Sequence, residues 1–224
     1  MSPYRAWQGA ADLESNLGLE EAKDKVPRTV REILTEMKDT SEVVVDLAYA
    51  ALVFDSQDMA DEVQHLERRM DTLLYNIRIK AMLSARTKRD AEQLAGLLQV
   101  ASSAEAISNA AGDIVNLLRY DSDKRPFLPI VLKEAEEKIR SLTLMDKSGM
   151  ANRTIEELGV ESETGMRIIA MKRGKRWIYG PEAENRLKAG DLLIVRGTEN
   201  GFEVLRSYAT GERNWPQYPQ KEGP

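Results

Sequence analysis

Residues 189–198 read AGDLLIVRGT, and this stretch decides the fold of the C-terminal part of the chain. The Gly190-Asp191 pair predicts a tight turn, and the apolar run that follows it predicts a buried strand. From Gly149 onward, glycines recur and separate short β-branched runs, which is typical of strands joined by tight turns. The sequence therefore predicts a small α/β domain over residues 148–210.

Other elements of this domain can be placed around the same strand. Thr154 and Glu157 have the spacing of a capping box, which predicts a short helix from Thr154. The tail over residues 211–224 is polar and rich in proline, so we expect it to be flexible. The further predicted elements are a strand over 167–173, a hairpin turn at Gly174-Lys175, a returning strand over 176–179 and a closing helix over 201–208.

The first 147 residues have a different character, with few glycines and many strong helix formers. Apolar residues recur there three and four positions apart, which predicts amphipathic helices. Long helices with short connections favour an all-α antiparallel bundle over residues 27–147, after an N-terminal extension over residues 1–26. The predicted helices cover residues 27–54, with Pro27 in the first turn, then 57–84 with Ser56 as N-cap, 94–118 and 130–144.

Composition excludes several classes of function. Of the 224 residues, 42% are hydrophobic and 31% are charged, and no stretch approaches the roughly 20 apolar residues of a spanning helix. The chain has no cysteine and a single histidine, which disfavours thiolate chemistry and a catalytic triad, so we predict no enzyme activity. The N-terminus has no leader pattern, which predicts a cytoplasmic protein. The net charge is −5 and basic residues are interspersed with acidic ones, so no nucleic-acid partner is expected.

Three motifs give the C-terminal part a family resemblance. They are T-x-x-E-L-G from Thr154, G-x-x-I-I-A from Gly165 and A-G-D-L-L-I-V-x-G-T from Ala189. Residues 146–210 thereby resemble the TrkA C-terminal domain, also called the RCK C-terminal domain, which is found with potassium channels and transporters. The resemblance implies a small α/β fold that pairs into a homodimer and carries a ligand site near the dimer interface. In relatives that regulate potassium transport, that ligand can be cyclic di-AMP.

A candidate anion site lies on the first strand of the predicted hairpin. Alternation puts Arg167 and Ile169 on one face and Ile168 on the other, which offers an apolar shelf for a base beside cations for a phosphate. The resemblance implies the same positions, since it places the ligand at Arg167, Ile168, Ile169 and Pro181. The alternative is a solvated strand pair, in which the Lys and Arg side chains of residues 172–176 protect a sheet edge.

Two signatures of spaced polar residues lie in the helical half, Glu67-x-x-x-Asp71 and Asn109-x-x-x-Asp113. They make this half similar to a single PhoU-like bundle, a family in which E-x-x-x-D signatures bind metal in some members. The resemblance implies a divalent cation held by Glu67, Asp71, Asn109 and Asp113, although Asn109 replaces one acid of the pattern. The alternative is a solvated polar face opposite the hydrophobic seam. Because the PhoU fold commonly holds two three-helix repeats, a homodimer would supply the second set.

The two resemblances together predict a regulatory protein of cation transport, with potassium as the expected cation. The C-terminal module would sense a small ligand or dimerise, and the bundle would transmit the change to a membrane channel or transporter. This function places the protein at the inner face of the membrane. The alternative is a PhoU-type adaptor of phosphate uptake or signalling, whose acidic helix face holds a metal.

Overall fold

The N-terminal half is a bundle of three long helices. The computed structural model describes residues 29–120 and 135–216, and the bundle consists of α1 (Val30–Val53), α2 (Gln57–Ser84) and α3 (Lys88–Val115). A short 3-10 helix over Asn116–Arg119 continues α3. The three helices pack against one another, which confirms the predicted bundle. None of the helices described has both the length and the hydropathy that a membrane span requires.

Polar caps fix where the helices begin. The Thr29 hydroxyl accepts a hydrogen bond from the Glu32 backbone N–H at 3.1 Å, and the Glu32 carboxylate accepts one from the Thr29 backbone N–H at 2.7 Å. This capping box starts α1 at Val30, later than the predicted start at residue 27. Ser56 caps α2 as predicted. Pro27 lies outside the described residues.

The C-terminal half is a four-stranded antiparallel sheet with helices packed on one face. The elements are β1 (Lys138–Thr143), α4 (Ile155–Leu158), α5 (Val160–Thr164), β2 (Arg167–Arg173), β3 (Arg176–Tyr179), β4 (Leu192–Gly197) and α6 (Glu199–Ala209). The strands lie in the order β1-β4-β2-β3. The predicted capping box at Thr154, the β2–β3 hairpin and the closing helix are confirmed.

The helix predicted over residues 130–144 is wrong for residues 135–144, while residues 130–134 lie outside the described part. Lys138–Thr143 form β1, which pairs antiparallel with β4. Ile139 and Leu142 are three positions apart, which suits a helix face, but they lie on opposite faces of the sheet. Pairing with a distant strand therefore overrides the local pattern. The predicted domain boundary at residue 148 would separate β1 from the rest of the sheet. A C-terminal domain that contains the whole sheet begins at Lys138.

The beginning of the C-terminal tail is packed. Trp215 is buried in the core of the C-terminal half, and its ring centroid lies 4.7 Å from that of Tyr208. The Arg213 guanidinium lies 5.2 Å from the centroid of the Tyr208 ring. The prediction of a flexible tail over 211–224 is therefore wrong for residues 211–216, because one large aromatic side chain fills a place in the core. Residues 217–224 lie outside the described part.

The sheet and the bundle share one apolar core. Ile169 and Ile194 are buried together with side chains of α1, α2 and α3, on the face of the sheet that α4, α5 and α6 do not cover. At the edge, the Trp177 indole N–H donates to Asp58 Oδ2 at 3.2 Å, and the Tyr179 hydroxyl donates to the Asp58 carbonyl at 3.3 Å. The N-terminal end of α2 is thereby fixed to β3.

Trp215→Ala should lower the free energy of unfolding by about 3–5 kcal/mol, because it leaves a cavity beside Tyr208 in a close-packed core. Urea unfolding followed by circular dichroism measures the change. Tyr120→Ala removes an exposed aromatic side chain and serves as the control, with an expected change within about 0.5 kcal/mol. Equal effects of the two substitutions would contradict the packed position of Trp215.

Candidate functional site

A cleft of about 1210 Å³ opens between α1 and the start of β2. One face of α1, from Thr29 to Asp46, forms a long wall of this cleft. The structure brings the predicted ligand residues together here and adds a wall from the other half of the chain. The predicted residues that line the cleft are Arg167, Ile168, Ile169 and Pro181.

A β-bulge sets the direction of the side chains at the start of β2. The register of β2 against β4 skips Ile169 between Ile168 and Ala170, so Ile169 is the extra residue. Ile168 packs in the C-terminal core, whereas Ile169 packs against the bundle. Arg167 contacts α1, so it shares the bundle-facing side with Ile169, as the predicted alternation requires.

Two acids of α1 lie against two arginines of the sheet. Arg167 and Arg196 are direct partners across β2 and β4. Both terminal guanidinium nitrogens of Arg167 donate to Glu42 Oε2 at 3.4 Å, and Arg196 Nη1 lies 3.1 Å from Asp46 Oδ1. Glu42 and Asp46 are one turn apart on α1. Their carboxylates therefore neutralise two neighbouring positive charges that would otherwise repel each other.

The two ion pairs differ in burial. Asp46 is buried, and burial raises the pKa of its carboxyl above the usual range although Arg196 acts in the opposite direction. Glu42 is partly exposed, and its interaction with Lys38 at 2.8 Å lowers the pKa of its carboxyl. The Arg167–Glu42 pair is thus longer and more solvated than the Arg196–Asp46 pair. A ligand that recruits Arg167 has only the weaker contact to displace.

The cleft is acidic. Glu36 is neutralised from outside the cleft by Arg69, whose Nη2 lies 2.7 Å from Glu36 Oε1. With α1 in this position, an anion at Arg167 would face the Glu42 carboxylate, which opposes its binding. An anionic ligand therefore competes with α1 for Arg167. The cleft is lined by two cations, Arg31 and Arg167, and by six acids. The acids are Glu32, Glu36, Asp39, Glu42, Asp46 and Glu182.

The turn after β3 approaches α1 closely. Gly180 has a φ of 51°, in the left-handed region, and its backbone N–H donates to the Ile169 carbonyl at 2.8 Å. A Cβ at this position would lie 2.9 Å from Val43 Cγ2. Glycine therefore allows this turn, and Pro181 after it, to reach the wall of the cleft.

The other cations of the hairpin do not all join Arg167. Arg173 donates to both carboxylate oxygens of Asp191, at 2.7 and 2.6 Å, and Asp191 is fully buried. Lys172 Nζ lies 4.9 Å from the centroid of the Trp177 ring. The positive charge of the hairpin is thus divided among separate contacts, and Asp191 connects the hairpin to the turn before β4.

The predicted metal residues lie on facing sides of α2 and α3. Burial raises the pKa of Glu67, and the carboxylates of Asp71 and Asp113 raise it further. The pKa of Asp71 is raised by burial and by Glu105, and Asn109 donates to Glu105 Oε1 at 2.7 Å. Within residues 29–120 and 135–216, no three histidine or carboxylate side chains group closely enough to hold a metal ion. A metal role for this set stays a prediction.

Sequence reasoning missed the residues that α1 contributes to the cleft. Asp46 interrupts the apolar run from Val43 to Ala51, and an acid inside such a run is the signal that could have found it. Glu42 carries no comparable signal, because exposed acids are common on any bundle helix.

Similar proteins match parts of the chain. Potassium channel protein 1 of Methanocaldococcus jannaschii is 27% identical over 82 residues, which are 37% of this chain and 24% of that protein. The chain therefore corresponds to a minor part of that relative. The RCK C-terminal domain of the potassium transport protein KtrA, solved with cyclic di-AMP, is 31% identical with a TM-score of 0.31, over 38% of this chain and 96% of that chain.

A second solved protein is BusR of S. agalactiae. The dimer of its RCK_C domain with cyclic di-AMP is 21% identical with a TM-score of 0.33, over 34% of this chain and 95% of that chain. BusR in complex with its promoter DNA is 13% identical with a TM-score of 0.32, over 79% of this chain and 96% of that chain. The expected absence of a nucleic-acid partner for this chain stays a prediction.

Family models match both halves of the chain. The PhoU domain matches residues 34–118, which hold most of the bundle, and the TrkA-C domain matches residues 139–210, which hold nearly all of the sheet and its helices. Both resemblances inferred from the sequence motifs are thereby confirmed. Along the chain, a region that matches the PhoU domain is thus followed by a region that matches the TrkA-C domain.

Proposed function

We propose that the protein is a non-enzymatic regulator of cation transport, with potassium as the cation. The TrkA-C domain senses a small ligand, and the PhoU domain transmits the change. The observation that carries this proposal is the cleft, because its walls combine the predicted ligand residues of the sheet with α1 of the bundle. Whatever binds at Arg167 acts directly on a helix of the PhoU domain.

The partner in this proposal is a membrane cation channel or transporter, contacted by a homodimer at the cytoplasmic face of the membrane. The similarity to a potassium channel protein supports the choice of potassium. The TrkA-C match supports a regulatory role over a catalytic one.

The ligand in this proposal is cyclic di-AMP, whose two phosphates suit a guanidinium group and whose bases suit an apolar shelf. Ile169 lies on the same side of β2 as Arg167, but it is buried against the bundle, so a base reaches its side chain only when α1 moves. Because Glu42 occupies Arg167, the ligand favours a state in which α1 has moved away from β2. A ligand shifts such an equilibrium only by its difference in affinity for the two states, so the Glu42 contact sets how strongly binding is coupled to the bundle.

Cyclic di-AMP at about 100 times its dissociation constant should stabilise the protein by about 2.7 kcal/mol, which raises the thermal midpoint. Arg167→Ala should abolish this shift, because it removes the phosphate-binding cation. Arg176→Ala is the matched control, since Arg176 is an exposed cation of the same hairpin that does not line the cleft. No shift in the unmodified protein would contradict the ligand, and equal behaviour of the two variants would contradict the site.

Glu42→Gln should tighten cyclic di-AMP binding by up to about fivefold, because a partly exposed ion pair with Arg167 contributes about 0.2–1 kcal/mol that the ligand no longer has to displace. Isothermal titration calorimetry measures the affinity. Glu156→Gln, on the exposed surface of α4 and outside the cleft, should leave it unchanged. An unchanged or weaker affinity of Glu42→Gln would mean that α1 does not compete with the ligand.

A second candidate function is a PhoU-type adaptor of phosphate uptake or signalling, whose acidic helix face holds a divalent cation. The observation that favours it is the mutual effect of the carboxylates between α2 and α3, where Asp71 and Asp113 raise the pKa of Glu67. A bound cation would relieve this repulsion.

Glu67→Gln should separate the two candidates. The pKa of the Glu67 carboxyl is higher in the folded state than its unfolded value of about 4.3, so the protonated carboxyl favours folding. This contribution to the free energy of unfolding is fully present below the unfolded pKa. It is lost as the pH rises through the folded pKa. The variant should therefore have a higher thermal midpoint than the unmodified protein at neutral pH, and this advantage should disappear near the unfolded pKa. Differential scanning calorimetry across pH measures both.

The adaptor function additionally requires Mg²⁺ or Mn²⁺ to raise the midpoint of the unmodified protein and not that of Glu67→Gln. Glu92→Gln, an exposed acid on α3, is the control and should respond to the metal as the unmodified protein does. An absence of any metal effect would leave the cation-transport regulator as the function that the cleft supports.

A further inference from the structure

The turn between α2 and α3 carries concentrated positive charge. From Thr72 to Arg89 the chain has no acidic residue, although the whole sequence has 37 acidic and 32 basic residues. We call residues 75–89 the basic tip, and it departs from the interspersed charge of the rest of the chain. Its cations are Arg78, Lys80, Arg86, Lys88 and Arg89.

Large apolar side chains are exposed beside these cations. Leu83 is 79% exposed and Met82 is 64% exposed, the highest fractions among the large apolar side chains of the part that the structure describes. Ile79 and Tyr75 precede Leu83 by one and two helical turns on α2 and are exposed as well. An exposed apolar stripe next to a cluster of charge is typical of an interaction surface.

Local helix stability explains only part of this positive charge: Lys88 Nζ lies 3.6 Å from Glu92 Oε1, one turn further along α3. Lys88 and Arg89 are the first two residues of α3, where the helix dipole favours negative charge. The turn itself is well defined, because the Thr87 backbone N–H donates to Asp90 Oδ2 at 3.0 Å and the Asp90 backbone N–H donates to Thr87 Oγ1 at 3.1 Å. A capped turn therefore holds positive charge at the end of the bundle at some cost to the helix.

We propose that the basic tip docks on the surface of an anionic lipid bilayer. Leu83 and Met82 enter the boundary between headgroups and acyl chains, while the Lys and Arg side chains keep their charges at the lipid phosphates. The end of a helical hairpin is convex and exposes aliphatic groups, which fits a flat lipid surface. Attraction of the cations to anionic lipid adds to this apolar contact and is screened by salt.

The position of the basic tip agrees with this assignment. The sheet packs against the end of the bundle where α1 finishes and α2 begins. The α2–α3 turn lies at the opposite end, so docking at the basic tip keeps the TrkA-C domain away from the lipid. This inference concerns a surface separate from the cleft and does not depend on the ligand proposed for it.

Vesicle flotation of the full chain tests the proposal. Vesicles of phosphatidylcholine alone are compared with vesicles of equal parts phosphatidylcholine and phosphatidylglycerol, at low and high salt. We expect binding to the anionic vesicles that weakens with salt. Arg86→Gln/Arg89→Gln should lower the partition coefficient roughly 25-fold, at roughly fivefold per cation. Leu83→Ser should lower it roughly tenfold, because the apolar contact is lost.

Matched controls separate this surface from general charge or hydrophobicity. Lys175→Gln/Arg176→Gln removes two cations from the β2–β3 turn, and Val100→Ser removes an exposed apolar side chain from the middle of α3. Both should bind vesicles as the unmodified protein does, and all variants should keep its thermal midpoint. Absence of vesicle binding, equal binding to both lipids, or equal losses in the controls would overturn the proposal. Binding to polyglutamate without binding to vesicles would also overturn it and would assign the basic tip to an acidic protein.

Discussion

The relation between the two halves of the chain depends on the contact between two acids of α1 and two arginines of the sheet. Arg167 and Arg196 face each other across β2 and β4, so their charges would repel in an isolated sheet. Glu42 and Asp46 compensate both charges from one side of α1. Breaking the inner pair would leave Asp46 as a buried charge without its partner, which is costly. Glu137, directly before β1, also lies 3.5 Å from Arg196, so the bundle adds to the compensation of Arg196 and supplies that of Arg167.

The two contacts differ in length and burial, so the Arg167–Glu42 contact should break before the Arg196–Asp46 contact. Asp46 and Arg196 lie at the margin of the shared apolar core, where Ile169 and Ile194 meet the helices. The Glu42 contact lies one turn nearer the start of α1, on the solvated wall of the cleft. A change that begins at Arg167 releases the outer contact and the packing of Ile169 first, while the inner contact and the rest of the core around Ile194 remain as a pivot. Under the proposed function, a small ligand would thereby alter the position of a long helix without separating the two halves.

Local signals predicted much of the fold, because caps, turns and apolar spacing act over a few residues. Thr154 with Glu157, Ser56 and the Gly174-Lys175 turn all form the structures that their local chemistry favours. The failures are interactions between distant segments. Residues 138–143 form a strand only because β4 offers its edge, and Trp215 is ordered by a core that its own neighbours in sequence do not form.

The candidate site divides in the same way. Arg167, Ile169 and Pro181 could be predicted to lie close together, because they belong to one hairpin and the turn that follows it. Glu42 could not, since nothing in the sequence of α1 states which surface it will cover. Likewise, the charge of residues 75–89 can be read from the sequence, but the exposure of Leu83 cannot. That exposure depends on how α2 packs against the other two helices.

The length of the helices connects the two surfaces. α2 has 28 residues, which at about 1.5 Å per residue spans about 42 Å between the sheet and the basic tip. α1 packs along this length, through Ile33 and Met37 in the apolar cluster near the tip, and through the Glu36–Arg69 ion pair. Because a close-packed interior does not absorb displacement locally, a shift of α1 at the cleft must be matched by its neighbours toward the tip. If the tip is held at a membrane, the segment free to move is the sheet with the proposed ligand site, and ligand binding there would change the orientation of the TrkA-C domain relative to the lipid surface.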